Sequence, residues 1–409
     1  MRIIPWITIG LNILILSIIA NGNSYKLEYV HVMFDYGQIK PNPIHAGSEL
    51  GISDWKLSSG DITETTENAI RKFAKDFFNK YSHFVGATKD HDNYNFGNID
   101  NLYGKFAIYQ LMYSYLDDPH TFVEKFETNG GGLNADYRCS KRNILIEMAR
   151  YGSMTDAEKD QFIMLIKDMR ALTREDVTEW NHLEYIKELV VEVSLFNSTR
   201  VVDFLAKHKD IILKSIKISM GWVDKPIKQG NITIDEEIRQ SRVQKPFWYA
   251  LGKLTGKANC VKDRTRCYYN RKLKLGAYAT TATTINSVLM GFGLTTHINQ
   301  SIDFYPKAGS NLVIELYAKA DKSSYFKVLL SRDGADAYKD LTKVVTGCDA
   351  TEYCDVAVLH TLYRPYDYSQ HFNCTYDSSQ YFVPVKSTTT STSDNCNCKT
   401  TDCPMFNFF

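Results

Sequence analysis

Two short stretches hold side chains from which a reaction centre could be built. Residues 29–43 read YVHVMFDYGQIKPNP: an apolar run (Val30, Val32, Met33, Phe34) suited to a buried strand, then Asp35 and Tyr36, then a break at Gly37, Pro41 and Pro43. The second stretch, Thr280-Thr281-Ala282-Thr283-Thr284-Ile285, offers hydroxyls. A carboxylate could serve as base, a phenol as acid and a threonine as weak nucleophile, but neither stretch contains a histidine to activate one. His31 sits inside the apolar run and reads as a core histidine, and His91-Asp92 falls in a polar loop. Gly130, Gly131 and Gly132 follow no strand and read as a turn rather than a phosphate cradle. Cys396, Cys398 and Cys403 could be read as a zinc set, yet three thiols with no nearby histidine favour disulfides plus one spare thiol, which would support a covalent homodimer. No metal and no cofactor is expected.

The elements that must position these residues follow from hydrophobic spacing. Thr63 precedes Ile70, Phe73, Phe77 and Tyr81, one apolar face of a helix that the spacing ends near Tyr81. Tyr109, Met112, Tyr113 and Leu116 keep helical spacing too, and Thr155-Asp-Ala-Glu158 is a capping box ahead of Phe162, Leu165, Ile166 and Met169. Further helical runs cover residues 183–196, 201–218 and 234–254. Strand signals stand at residues 30–34 and return at 273–280, 311–318 and 325–330. The chain carries no internal repeat, and the Ser/Thr run at residues 387–393 is low-complexity and extended.

Composition bounds the function. With 409 residues, 44% hydrophobic and 23% charged, the chain can bury a large core in one domain with an insertion or in two domains. Lys+Arg 48 against Asp+Glu 47 leaves no global field to recruit nucleic acid or an anionic membrane. Residues 1–22 combine Arg2, an apolar run and small residues Ala20 and Gly22, as a signal peptide does, so that the mature chain starts near Asn23; the alternative is an uncleaved membrane anchor. Sequons at Asn197, Asn231, Asn299 and Asn373 fit passage through the secretory pathway. In that oxidising compartment Cys260 with Cys267, and Cys348 with Cys354, bracket local loops suited to disulfides.

The first stretch resembles the R-H-G-x-R-x-P motif that follows such a strand in the histidine acid phosphatases. Asp35-Tyr36-Gly37-Gln38-Ile39-Lys40-Pro41 keeps the framework Gly and Pro and has neither arginine nor the nucleophilic histidine. The resemblance puts Asp35 and Ile39 at the first two arginines and Tyr36 at the nucleophile. It puts Asn95 at the third arginine, if Asn98-Ile-Asp100 matches the family's D-x-D, and Thr281 and Ala282 at its later His-Asp pair. Ile62-Thr63 and Phe78-Asn79-Lys80-Tyr81 resemble the ends of the family's first helix, and a Cys139–Cys374 bridge resembles one found there.

What the resemblance implies is an α/β fold, a mixed, mainly parallel sheet flanked by helices, with an inserted α-helical cap. Residues 23–101 and 265–380 would form the α/β part, 102–264 the cap and 381–409 a Ser/Thr- and Cys-containing tail. A phosphomonoester needs converging cations, a nucleophile and a proton for the leaving group. Replacing Arg by Asp about 4 Å from a charge turns attraction into repulsion, a swing of about 8 kcal/mol at an effective dielectric near 20, or close to six decades of affinity. The sequence therefore predicts a secreted protein without phosphomonoesterase activity that binds an unidentified ligand or protein partner in a cleft from which phosphate is repelled. The alternatives are an active hydrolase of this fold with altered mechanism or substrate, and a disulfide-linked secreted structural protein.

Overall fold

The computed structural model describes residues 24–37, 46–48, 63–86, 91–99, 102–114, 133–135, 139–196, 198–230, 232–267, 271–294, 308–332, 338–366, 372 and 374. The signal segment, Ile39, the four sequon asparagines, the triple glycine and the cysteine tail lie outside these residues.

Strand β1, Lys26–Asp35, forms because its apolar run can be buried on both faces. Helix α1, Glu64–Val85, starts at Thr63, whose side chain accepts from the Thr66 N–H, and runs one turn beyond the expected end because Val85 continues the buried face before Gly86 stops it. Strand β2, Tyr94–Asn98, and helix α2, Leu102–Tyr113, follow. Five helices come next: α3, Ser140–Ser153; α4, Asp156–Thr173; α5, His182–Phe196; α6, Thr199–Lys207; and α7, Lys209–Ser219. The capping box at Thr155 and Glu158 is made in both directions. The apolar run at 201–218, read as one helix, divides at His208, whose Nε2 bonds Asp168 of α4 at 2.9 Å.

A two-residue hairpin, β3 (Lys228–Gln229) and β4 (Ile232–Thr233), leads into the long α8, Ile234–Lys262. The chain then returns to the sheet with β5, Leu275–Thr280, and α9, Ala282–Gly291. Last come β6, Asn311–Ala318; β7, Ser324–Ser331; β8, Lys339–Asp340; β9, Cys354–Asp355; and α10, Ala357–Tyr363.

The sheet runs β2-β5-β1-β6-β7-β8, with β9 also on β7. β2, β5 and β1 are parallel, and β6 onward is antiparallel. Alternation along β1 divides the core: Val30, Val32 and Phe34 pack with α1 and α2 on one face, and Tyr29 and Met33 pack toward α8 and α9 on the other. His31 is fully buried on the second side, with Nδ1 3.3 Å from the Tyr29 hydroxyl and its ring against Tyr278. Disulfides join Cys139 to Cys374, Cys260 to Cys267 and Cys348 to Cys354. Among the described residues no helix is long and apolar enough to cross a membrane.

Candidate functional site

The parallel strands share one carboxyl-terminal rim, the usual place for a ligand in an open α/β sheet. There Asp35 stands in register with Thr280, and the Tyr36 N–H donates to the Thr280 carbonyl at 3.1 Å. Gly37, at φ +85°, turns the chain away and donates its N–H to Asp35 Oδ1 at 3.0 Å. Asp35 is buried, and loss of hydration pushes its carboxyl up to about 7, against the pull of the Gly37 N–H and the Lys187 charge. Tyr36 is half-buried between the two cores, its ring 6.4 Å from that of Tyr103.

The threonine run is spent on structure. Thr281 is the N-cap of α9 and accepts from the Thr284 N–H at 3.3 Å. Thr280 and Thr284 donate their hydroxyls to the Leu133 carbonyl at 2.7 and 3.0 Å, and the Ala135 N–H donates to Thr284 at 3.1 Å. A hydroxyl that caps a helix, with no imidazole bonded to it among the described residues, is not an activated nucleophile.

Asn95 is a correction. It pairs with Gly276, four residues short of Thr280 along β5, which places it about 13 Å behind the rim. The spacing to Asn98-Ile-Asp100 misled because β2 runs on through Asn98, in register with Ala279, so that the rim position on this strand is Asn98. The Asn98 amide is 1% exposed and neither of its polar atoms has a hydrogen-bond partner among the described residues.

Beside this rim is a cavity of about 280 Å³, floored by Ala282, Thr283 and Asn286 of α9 and walled by α3, α5, α7 and α8. Of the positions expected from the sequence, Ala282 lines it. Four cationic side chains, Arg142, Arg150, Lys187 and Arg242, face two carboxylates, Glu147 and Glu184. Arg142 donates to the Ala135 carbonyl and Arg242 Nε to that of Ser219, each at 2.8 Å. Arg150 uses Nη1 on both oxygens of Glu147 at 2.5 Å and on the Glu179 carbonyl at 3.2 Å. Burial pushes Glu147 up to about 7 even so.

The cavity wall is thus rich in cations, whereas the sequence marked only the carboxyl of Asp35 at the rim. Its cations come from helices in which no motif marked them, and helical spacing alone could have shown only that Arg142 and Arg150 are two turns apart on one face of α3. His182, also missed, lines the cavity at 1% exposure, and its Nδ1 lies 2.8 Å from the Glu179 carbonyl. Because a carbonyl only accepts, Nδ1 carries the proton and Nε2 keeps its lone pair. Burial and the neighbouring Arg150 charge hold the ring down to about 3. Among the described residues no group of three or more His, Cys, Asp or Glu is placed to hold a metal ion.

The mixed sheet flanked by helices shares its overall fold with solved phytases and an inositol polyphosphate phosphatase. The structure is similar to the Hafnia alvei phytase in complex with tartrate (TM-score 0.57, 10% identity, 87% of this chain and 100% of that one). It is also similar to the phytase of Klebsiella sp ASR1 (TM-score 0.56, 12% identity, 84% and 97%). A third likeness is to the Bifidobacterium longum multiple inositol polyphosphate phosphatase in complex with inositol hexasulfate (TM-score 0.53, 8% identity, 84% and 94%). At these identities the likeness is one of fold. In sequence, 100 residues are 29% identical to a Caenorhabditis elegans protein named as a candidate acid phosphatase, a match covering 24% of this chain and 23% of that protein. The chain thus spans about a quarter of the length of that relative. No family model matches the sequence.

Proposed function

We propose that the protein is a secreted, noncatalytic form of the acid phosphatase fold that acts by binding a ligand in the cavity beside the rim. Asp35 carries this reading: a buried carboxyl stands at the end of β1, in register with Thr280, where the motif resemblance calls for a guanidinium. The phenol of Tyr36 and the capping role of Thr281 support it, since neither supplies a covalent route for a phosphoryl group. Three disulfides support secretion. The test is a chromogenic phosphomonoester offered to the purified chain at acid pH, with no vanadate-sensitive turnover expected. Turnover that Tyr36→Phe abolishes would sink the reading. N-terminal sequencing of exported material, expected to begin near Asn23, tests secretion.

One observation favours the second reading, a hydrolase with altered mechanism. His182 lines a cavity rich in arginine and has an Nε2 without a hydrogen-bond partner among the described residues, a candidate base of low basicity. This reading expects some member of a panel of esters and phosphoesters to be turned over, and the activity to vanish in both Asp35→Ala and His182→Ala.

A further inference from the structure

The end of the sheet opposite the rim carries a concentration of positive charge. Residues 253–274 hold eight Lys and Arg and one acidic residue, Asp263, in a chain whose net charge is +1. The fold gathers this stretch. α8 ends at Lys262, the Cys260–Cys267 bridge folds the next turn back on it, and the chain enters β5 with the Lys274 carbonyl accepting from the Val30 N–H at 2.8 Å. Lys257 Nζ donates to the Arg271 carbonyl at 3.2 Å. Burial holds the Lys257 ammonium down to about 8, against the pull of Glu28 and with the push of the Lys26 and Lys274 charges.

Three of these cations, Lys262, Arg264 and Arg271, are exposed and form no ion pair among the described residues. The carboxylates beside them are already engaged: Asp263 accepts from the N–H and the hydroxyl of Thr265, Glu28 pairs with Lys26 at 2.8 Å and Asp92 with Lys272 at 3.5 Å. The length of β5, from Leu275 to Thr280, sets this surface about 17 Å from the rim, and none of its residues lines the cavity. Two observations choose among the polyanions that unmet positive charge would recruit. Among the described residues of 253–274 no large apolar side chain is exposed, so nothing here would enter a lipid bilayer. The disulfide that closes the turn belongs to an oxidising compartment, where the repeating polyanions are sulfated polysaccharides rather than nucleic acid.

We propose that Lys262, Arg264 and Arg271 form a docking surface for a sulfated polysaccharide, whose sulfate oxygens accept from the two guanidinium groups and the ammonium. The surface is separate from the cavity and takes from the reading above only that the chain is exported.

The experiment is surface plasmon resonance of the full purified chain over immobilised heparin at about 0.15 M salt, with desulfated heparin, duplex DNA and phosphatidylserine vesicles as competitors. Heparin is expected to bind and desulfated heparin to compete poorly. Lys262→Gln combined with Arg264→Gln and Arg271→Gln should weaken binding about tenfold and reduce the slope of log affinity against log salt by about two. Lys75→Gln combined with Lys167→Gln and Lys209→Gln removes the same charge from exposed positions on other helices and should change affinity little. Lys262→Arg with Arg264→Lys and Arg271→Lys should keep it. No binding at that salt, full affinity in the first triple variant, equal competition by desulfated heparin, or tighter binding to DNA or vesicles than to heparin would each overturn the proposal. The phosphomonoester assay is a separate readout: turnover accompanied by heparin binding rejects the noncatalytic reading and keeps this surface, whereas neither turnover nor binding does the reverse.

Discussion

Arg150 and His182 share one acceptor, the Glu179 carbonyl, which takes Nη1 of the first at 3.2 Å and Nδ1 of the second at 2.8 Å. The shared bond fixes the imidazole tautomer and sets a guanidinium charge beside it. Burial and that charge keep the ring neutral, against the pull of the carbonyl.

The first prediction follows from that neutrality. The folded ring titrates near 3 rather than 6.5, so between these values the unfolded chain binds a proton that the folded chain does not. Stability contributed at neutral pH is lost as pH falls from about 6.5 toward 3. NMR of labelled histidine should show His182 unchanged from pH 8 down to about pH 4. A midpoint near 6 would show that the ring is hydrated rather than buried in solution.

Asp35 and Glu147 act with the opposite sign. Each carboxyl titrates near 7 in the fold, above its unfolded value, so the unfolded chain releases protons that the folded chain keeps. Their contribution is complete below about pH 4 and lost as pH rises to 7. Asp35→Asn should flatten this slope and raise the melting temperature at pH 8 by several degrees relative to wild type, as read by thermal denaturation across pH. An unchanged slope would place the Asp35 carboxyl in water.

Thr281→Ala removes the cap of α9 and should cost about 1 kcal/mol in denaturant unfolding. Affinity for a cavity ligand should change little, because Thr281 does not line the cavity. A large loss of affinity with no loss of stability would give this hydroxyl a direct contact that its capping bonds do not suggest.

Glu315 lies buried in β6, accepting from the Tyr81 hydroxyl at 2.6 Å and the Tyr317 hydroxyl at 2.9 Å, with Lys80 at 3.5 Å. Tyr81→Phe leaves a buried carboxylate short of a donor and should cost about 1 to 3 kcal/mol in chemical denaturation. Burial, with Glu315 beside it, drives the Tyr81 phenol well above its ordinary range, so no tyrosinate absorbance from this residue should develop below the unfolding pH.

The Cys139–Cys374 bridge closes a loop across 235 residues. Chain-entropy arguments give such a closure about 5 kcal/mol. Cys139→Ala with Cys374→Ala should therefore lower the unfolding free energy by several kcal/mol, measured in urea under non-reducing conditions, whereas opening Cys260–Cys267, a separation of 7, should cost about half as much.

Much of this architecture was legible because it rests on local rules. The alternation through Val30, Val32 and Phe34, the capping box at Thr155 and the paired runs of β6 and β7 each state their conformation within a few residues. Asp35 and Thr280 could be brought to one rim because each ends its strand. Asn95 could not be placed, because strand register depends on the partner strand and a short motif does not specify it. The cationic cavity was out of reach for a related reason: Arg142, Arg150, Lys187 and Arg242 sit on three helices, and their convergence depends on how those helices pack. His182 carried no signal beyond being a histidine before an apolar run.

The bonds around residues 133–135 have a mechanical side. Thr280 of β5 and Thr284 of α9 grip the segment from one side, and Arg142 grips the Ala135 carbonyl from α3. These bonds tie the segment to the strand, to α9 and to α3 at once. Trp180, which lines the cavity while standing half out in solvent, joins its wall to the surface.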